Sequence, residues 1–231
     1  MEGFRDASTD LLIDLARPSR HDAGLDYACG VGLAAFALSA AVARVDAVDE
    51  SGDVLDEGRR LAAELELRNV SFLRCDLLAL PFDDGAFSLV VCRNALHRLS
   101  DPLAALREMA RVTSAGGRVV LLDAVVDELT DAAVNELARL REPAHQRYHR
   151  ADEVVALAGE AGLAVAERRG DRRTVDLDYW MQAASVPAET ADLLRRRFAG
   201  LAPEVQERLD MAVADDLVSF SHDVLALRLE R

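Results

Sequence analysis

The stretch Leu25-Asp26-Tyr27-Ala28-Cys29-Gly30-Val31-Gly32 decides the fold. A short apolar run ends in an acid and two glycines, and a small apolar helix is predicted from Leu33 to Val42. A parallel strand needs that order if its tip is to pass beneath a nucleoside-like ligand. Gly30 and Gly32 remove side chains where backbone must approach, and they tolerate backbone angles other residues resist. The helix that follows offers unpaired N–H groups at its start.

Working outward, the same alternation repeats. Thr9 to Arg17 carries Leu11, Leu12, Ile13, Leu15 and Ala16 and stops at Pro18, so a helix precedes the first strand. Downstream, Arg44 to Val48 reads as a second strand ending at Asp49-Glu50. Ser51 then caps a helix from Gly52 to about Leu67, with Asp53 in its first turn. Val70 to Arg74 is a third strand ending at Cys75-Asp76, and Leu77 to Gly85 is a turn-rich loop. Phe87 to Cys92 is nearly all apolar, as expected of a strand buried on both faces of a parallel sheet. Asp101-Pro102 opens a helix to Val112, and Gly116-Gly117 leads into a fifth strand, Arg118 to Leu122, ending at Asp123. The pattern is that of a doubly wound α/β sheet, which binds ligands outside the carboxyl ends of its strands. Asp26, Asp49, Asp76, Arg93-Asn94 and Asp123 fall at those ends.

After Asp123 the rhythm changes. Thr130 to Arg141 and Asp152 to Ala161 read as helices, the second stopped by Gly162, with a strand from Leu163 to Glu167. Val186 to Asp216 reads as mostly helical with breaks near Gly200 and Pro203, and Val224 to Leu229 as the closing strand. The expected organisation is a single domain over 1–231. Residues 1–123 are its N-terminal helix and cofactor core, 124–217 a helical cap with the sixth strand, and 218–231 the final strand.

Net charge is −14, from 41 acids against 27 bases, a surface that repels phosphate backbones and anionic headgroups. Nucleic acid and membranes are therefore not expected partners, and a small-molecule substrate is. No run approaches the roughly 18 apolar residues of a membrane span, and Met1 to Asp6 lacks the basic start of a secretory leader. Cys29, Cys75 and Cys92 form no CxxC pair and no metal-like spacing, so no metal is expected. So few cysteines fit a reducing, cytoplasmic setting, with the protein a monomer or homodimer.

Gly30-Val31-Gly32-Leu33-Ala34-Ala35 also satisfies G-x-G-x-x-A, the dinucleotide fingerprint, which leaves a nicotinamide-dependent oxidoreductase as one reading. Asp26 argues against it. A dinucleotide turn must receive a pyrophosphate, which a carboxylate at the strand tip opposes, whereas a sulfonium-bearing amino acid ligand is favoured by the same charge.

Four motifs in order carry a resemblance. They are Leu25 to Gly32, Leu80-Pro81-Phe82-Asp83-Asp84-Gly85-Ala86-Phe87-Ser88-Leu89-Val90, Ala95-Leu96-His97-Arg98-Leu99, and Glu108 to Gly117 with its E-x-x-R-V. Between Leu25 and Asp123 the chain resembles the class I S-adenosylmethionine-dependent methyltransferases, nearest the small-molecule ubiquinone/menaquinone C-methyltransferase group. The resemblance implies a Rossmann-like, mostly parallel seven-stranded sheet with a helical cap inserted after the fifth strand, and S-adenosylmethionine as cofactor. It implies that Asp26 and Gly30 lie along the methionine part, with Ala28, Cys29 and Gly32 also in the cofactor site, and that Asp49 takes the ribose hydroxyls, with Glu50 and Ser51 beside it. Asp76 accepts from the adenine amino group, Cys75 and Leu77 flank the ring, and Arg93 and Asn94 border the transferred methyl.

The chain departs from that pattern twice: Ala28 stands where a glycine is usual and Ser88 where an aspartate is usual. These departures leave room for a cofactor-binding regulator or cyclase of the same fold. An acceptor that must lose a proton needs a base titrating near neutrality, which histidine supplies. His97, just past the fourth strand, and His145 are the candidates, each with a structural histidine as the alternative. Trp180 and Met181 read as a pocket wall or as core, Arg168 to Arg173 and Arg195 to Arg197 as solvated edges, and His21 and His222 as incidental.

Overall fold

The computed structural model describes residues 6–214 and 217–231. Five strands and their helices form the expected alternation. They are α1 (Ala7–Ala16), β1 (Ala23–Tyr27), α2 (Leu33–Ser39), β2 (Arg44–Asp49), α3 (Gly52–Glu64), β3 (Val70–Arg74), β4 (Phe87–Arg93), α4 (Pro102–Val112) and β5 (Thr113–Val125). Then follow α5 (Asp131–Arg141), α6 (Ala151–Glu160), β6 (Ala164–Asp176), α7 (Leu177–Gln182), α8 (Ala188–Ala199), α9 (Pro203–Arg208), β7 (Ala212–Ala214) and β8 (Leu217–Glu230).

Among the described residues the sheet has the order β3-β2-β1-β4-β5-β8-β6, with β7 pairing antiparallel to β8. β3, β2, β1, β4 and β5 are parallel neighbours, so their carboxyl ends share one edge of the sheet. Leu25, Val48, Leu89, Val90 and Val120 are fully buried. That is why β4 reads as a nearly continuous apolar run rather than an alternating one.

The contacts divide the described chain into two compact units. The first comprises 6–123, Val155–Arg169 and Ala226–Arg231 and carries the parallel strands. The second comprises Ala124–Val154 and Gly170–Leu225. Its core gathers Leu177, Met181, Leu194, Phe198, Leu209 and Phe220. Trp180 packs edge-on against Phe198 and Phe220 beneath the Arg141 guanidinium, so it is a core aromatic of this unit.

Several boundaries differ from expectation for identifiable reasons. Ser51 occupies the N-cap of α3, yet its side chain makes no capping bond; its backbone N–H donates to Asp49 Oδ1 at 3.0 Å. Asp101 does cap α4, accepting from Ala104 N–H at 2.9 Å with Pro102 in the first turn. The sixth strand continues to Asp176 through the basic run, because Arg169 pairs with Glu167 and Arg173 with Asp171. Residues 212–214 are strand, not helix, while Asp215 and Asp216 lie outside the described residues, as do Met1 to Arg5 of the leader reading. Among the described residues no helix is long and apolar enough to cross a membrane.

Candidate functional site

The carboxyl edge of β1 and β2 is built as the sequence demands, with acids tied to backbone N–H groups. Asp49 ends β2 half-buried; its Oδ2 accepts from Gly30 N–H at 2.9 Å and its Oδ1 from Ser51 N–H at 3.0 Å. One carboxylate thus locks the glycine turn to the strand beside it. A carboxylate offers about four lone-pair positions, so these two bonds leave capacity for a vicinal diol. Glu50 and Ser51 are exposed next to it.

Asp26 is buried, with 1% of its surface exposed, and its Oδ2 accepts from Ala35 N–H in the first turn of α2 at 2.8 Å. Burial pushes its carboxyl from the ordinary 3.8 to about 7, opposed by the Ala35 bond and the Arg93 guanidinium and reinforced by Asp49. Near neutrality the turn therefore holds an acid that a nearby cation can ionise.

Ala28, Gly30 and Gly32 have φ of 54°, 55° and 89°. Three left-handed residues within five positions make the tight turn, and only Ala28 bears the steric cost of a Cβ there. A Cβ at Gly30 would meet nothing within 4 Å, so this backbone borders open space. A Cβ at Gly32 would lie 2.9 Å from the Phe72 ring. Gly30 is glycine for its backbone angle and its open face, Gly32 for packing as well as angle.

On the β3 side, Asp76 is exposed and its Oδ1 accepts from Leu78 N–H at 2.8 Å. Leu77 is buried, and its carbonyl accepts from the Tyr27 hydroxyl at 2.7 Å. Cys75 is half-buried. Burial raises its thiol to about 11 and pushes the Cys29 and Cys92 thiols well above their ordinary value, so none is a thiolate at neutral pH. Arg93 closes β4 within 3.2 Å of Asp6, the N-cap of α1, and Asn94 follows at φ 53°, donating its N–H to Leu122 O at 2.7 Å.

His97 lies in a short 3-10 turn (Leu96–Arg98) after β4. Its ring Nδ1 is 2.6 Å from Asp123 Oδ1, and its backbone N–H donates to Asp123 Oδ2 at 3.1 Å; both residues are buried. His145 belongs to the second unit. Its Nε2 is 2.9 Å from Asn135 Oδ1, which also accepts from Tyr148 N–H at 2.6 Å, and the His145 and Tyr148 rings lie 4.4 Å apart. This knot ties residues 145–148 to α5.

Three supports carry roles that the sequence reading did not assign. Tyr27 anchors the Leu77 carbonyl from beneath the turn. Glu108 accepts from Leu80 N–H, and Arg111 donates to the Leu80 and Phe82 carbonyls, fixing the loop before β4. Gly58 lets α3 pass so close that a Cβ there would be 2.9 Å from the Val31 carbonyl. The E-x-x-R spacing is a signal for the second; an isolated glycine within a helix is a signal for the third.

Ser88 lies at the opposite end of the sheet from the strand-end acids. Its hydroxyl donates to Asp22 Oδ1 at 2.7 Å and accepts from Ala23 N–H at 3.1 Å. Asp22 in turn pairs with Arg118 at 2.7 Å. Although burial opposes it, hydrogen bonds from Arg118, Ser88 and Ser19 bring the Asp22 carboxyl down to about 2. A carboxylate is present beside position 88, that of Asp22.

The half-buried Asp49 carboxylate, the glycine face and the buried acid fit a nucleoside joined to a cationic amino acid. A family described as a methyltransferase domain matches residues 25–121. The chain is 33% identical over 181 residues to the uncharacterized methyltransferase YcgJ of Bacillus subtilis, covering 78% of this chain and 72% of that one. The crystal structure of YcgJ matches with a TM-score of 0.91 at 28% identity, over 97% of this chain and 98% of that one. A demethylmenaquinone methyltransferase of Staphylococcus aureus is 39% identical over 102 residues, 43% of this chain and 42% of that one. Geranyl diphosphate C-methyltransferase from Streptomyces coelicolor, solved with S-adenosyl-L-homocysteine, has the same fold, with a TM-score of 0.68 at 20% identity over 97% of this chain and 80% of that one.

Proposed function

Because the chain belongs to the class I S-adenosylmethionine-dependent methyltransferases, we propose that it methylates a small organic acceptor of aromatic or quinone-like character. The family settles the cofactor and the enzyme class, and the dinucleotide reading of the glycine turn is set aside. The acceptor class rests on the menaquinone-type relative and on the negative surface, which disfavours nucleic acid.

The observation that carries the site is Asp49, held by two backbone N–H groups at the end of β2. We assign it the ribose hydroxyls, through charge-assisted hydrogen bonds. Asp76 takes the adenine amino group beside Cys75 and Leu77. Asp26, Arg93 and Asn94 border the methionine end, with Ala28, Cys29, Gly30 and Gly32 as its floor. When bound, the cofactor supplies an electrophilic methyl on a sulfonium. The chain's own task is then to hold the acceptor in line with that carbon and to take a proton where the acceptor carries one. His97 is assigned that proton. The bonding of His145 to Asn135 favours a framework role within the second unit.

The two departures do not count against transfer. Ala28 adopts the left-handed angle a glycine would take there, and the Ser88 position is completed by Asp22, remote from the acids. Calorimetry with S-adenosylhomocysteine tests the cofactor assignment. Wild-type protein should bind, and Asp49→Ala should lose on the order of 100-fold in affinity, since each charged hydrogen bond contributes about 1.5–3 kcal/mol. Unchanged affinity in Asp49→Ala would refute the ribose assignment.

A further inference from the structure

The end of β4 and the start of α1 meet at an ion pair. Arg93 is the last residue of β4, and its side chain is mostly enclosed, at 15% exposed. A guanidinium carries five N–H donors. Among the described residues only Nη1 of Arg93 has a hydrogen-bond partner, the Asp6 carboxylate, with Oδ2 at 3.2 Å and Oδ1 at 3.5 Å. Charge-assisted bonds of this kind ordinarily close to about 2.7–2.9 Å. A largely enclosed cation is thus held by a long contact to an acid whose own side chain is 58% exposed.

The two oxygens of Asp6 have different tasks. Oδ1 accepts from Thr9 N–H at 2.7 Å and from the Thr9 hydroxyl at 2.9 Å, which caps α1. Among the described residues Oδ2 meets only Arg93. The cap therefore survives when the Arg93 contact opens, and the contact can be exchanged without fraying the helix. Although burial opposes it, the Thr9 bonds and the Arg93 charge hold the Asp6 carboxyl below its ordinary value, so it is an anion at neutral pH.

Arg93 also lies in electrostatic reach of Asp26. β1 and β4 are parallel neighbours, with Asp26 opposite Val91, two residues before Arg93. An α-amino acid presents an ammonium and a carboxylate together, and this corner sets an acid beside a cation, the complementary set. A carboxylate arriving there finds Arg93 already facing one.

Resting on the methyltransferase reading above, we propose that Asp6 is a built-in competitor, whose carboxylate occupies the Arg93 guanidinium that the α-carboxylate of the cofactor takes. The contact opens as the ligand seats and closes behind it as the ligand leaves. Methyl transfer removes the sulfonium charge but leaves the amino acid end intact, so S-adenosylhomocysteine keeps its own hold on this corner. Asp6 weakens that hold and lets the product exchange for fresh cofactor.

The test compares two ligands on the full chain by calorimetry at neutral pH. One is S-adenosylhomocysteine; the other is methylthioadenosine, which has the nucleoside and the thioether but no amino acid. Asp6→Asn keeps the cap, since asparagine serves there as well as aspartate, and removes the charge. It should tighten S-adenosylhomocysteine about two- to fivefold, the scale of an exposed ion pair, and leave methylthioadenosine unchanged within error. Asp6→Ser, another capping residue without charge, should do the same, so the outcome does not hang on the folding of one variant. Asp10→Asn removes the same charge within the first turn of α1 and should tighten neither ligand, which separates the contact from a general change of field. An equal gain for both ligands, a gain matched by Asp10→Asn, or no gain for S-adenosylhomocysteine in either Asp6 variant overturns the proposal. Stopped-flow displacement should show slower release of S-adenosylhomocysteine from Asp6→Asn, and release at the wild-type rate overturns the exchange role. Wild type that binds neither ligand overturns the methyltransferase reading itself, and the proposal falls with it.

Discussion

Asp26→Asn is the substitution with the most to say about the glycine turn. Burial lifts the Asp26 carboxyl from 3.8 to about 7, so between those values the folded protein holds a proton that the unfolded chain has released. Stability from this group is therefore full below pH 3.8 and is lost as the pH rises to 7. At 1.36 kcal/mol per tenfold change, the loss is about 4 kcal/mol. Asparagine keeps the size, and its amide oxygen can still accept from Ala35 N–H, while removing the titration. Urea unfolding of both proteins at half-unit steps from pH 4 to 8 isolates the effect, because other groups cancel in the difference. The variant should gain on wild type by about 4 kcal/mol across that window. A difference constant to within about 1 kcal/mol would sink the reasoning, since a buried acid with a raised pKa has to produce it. The same linkage reaches function. An ammonium group beside Asp26 favours its charged form, so binding S-adenosylhomocysteine by its α-amino end at pH 6 should release a proton from wild type, read from calorimetry in buffers of different ionisation enthalpy. Asp26→Asn should not show that release.

Three further outcomes follow from packing and charge. Ala28→Gly removes a Cβ from a residue at φ 54°; the left-handed penalty of about 1–2 kcal/mol exceeds the entropy cost of glycine, about 0.5–1 kcal/mol. Thermal unfolding should show a gain of about 0.5 kcal/mol, and a loss above 1 kcal/mol would mean that the alanine methyl is needed for packing. Gly58→Ala should destabilise by about 1–3 kcal/mol despite better helix propensity, because its Cβ meets Phe72 at 2.6 Å and the Val31 carbonyl at 2.9 Å; a stabilised variant in the same assay would contradict the close approach of α3. Ser88→Asp sets a second carboxylate against Asp22 with only Arg118 to share, and should cost about 1–3 kcal/mol in urea unfolding. Combining it with Asp22→Ser should recover most of that loss.

The first unit was legible because its parallel strands write themselves as apolar runs and its turns as Gly, Pro and Asp at fixed offsets. The place of Asp49 at the end of β2 could be read from position alone. What escaped lies in contacts between residues distant in sequence. Tyr27 looks like one more apolar strand residue until its hydroxyl is seen on the Leu77 carbonyl fifty positions away. Asp123 reads as one strand end among five, and only the fold brings it to His97. The second unit was less legible because its helices follow no repeating order and its longest strands continue through charged stretches. Arg172, on the expected solvated edge, is exposed and also pairs with Asp210 and Asp223, within a strand that runs on to Asp176. Ser88 carries the argument furthest. By the motif alone it is a lost charge, yet its hydroxyl meets Asp22, which pairs with Arg118 and which pattern matching has no reason to place beside it. At that point of the fold a carboxylate, Asp22, faces Arg118. A departure from a motif is therefore weak evidence of lost function until the neighbours of that residue in space have been identified.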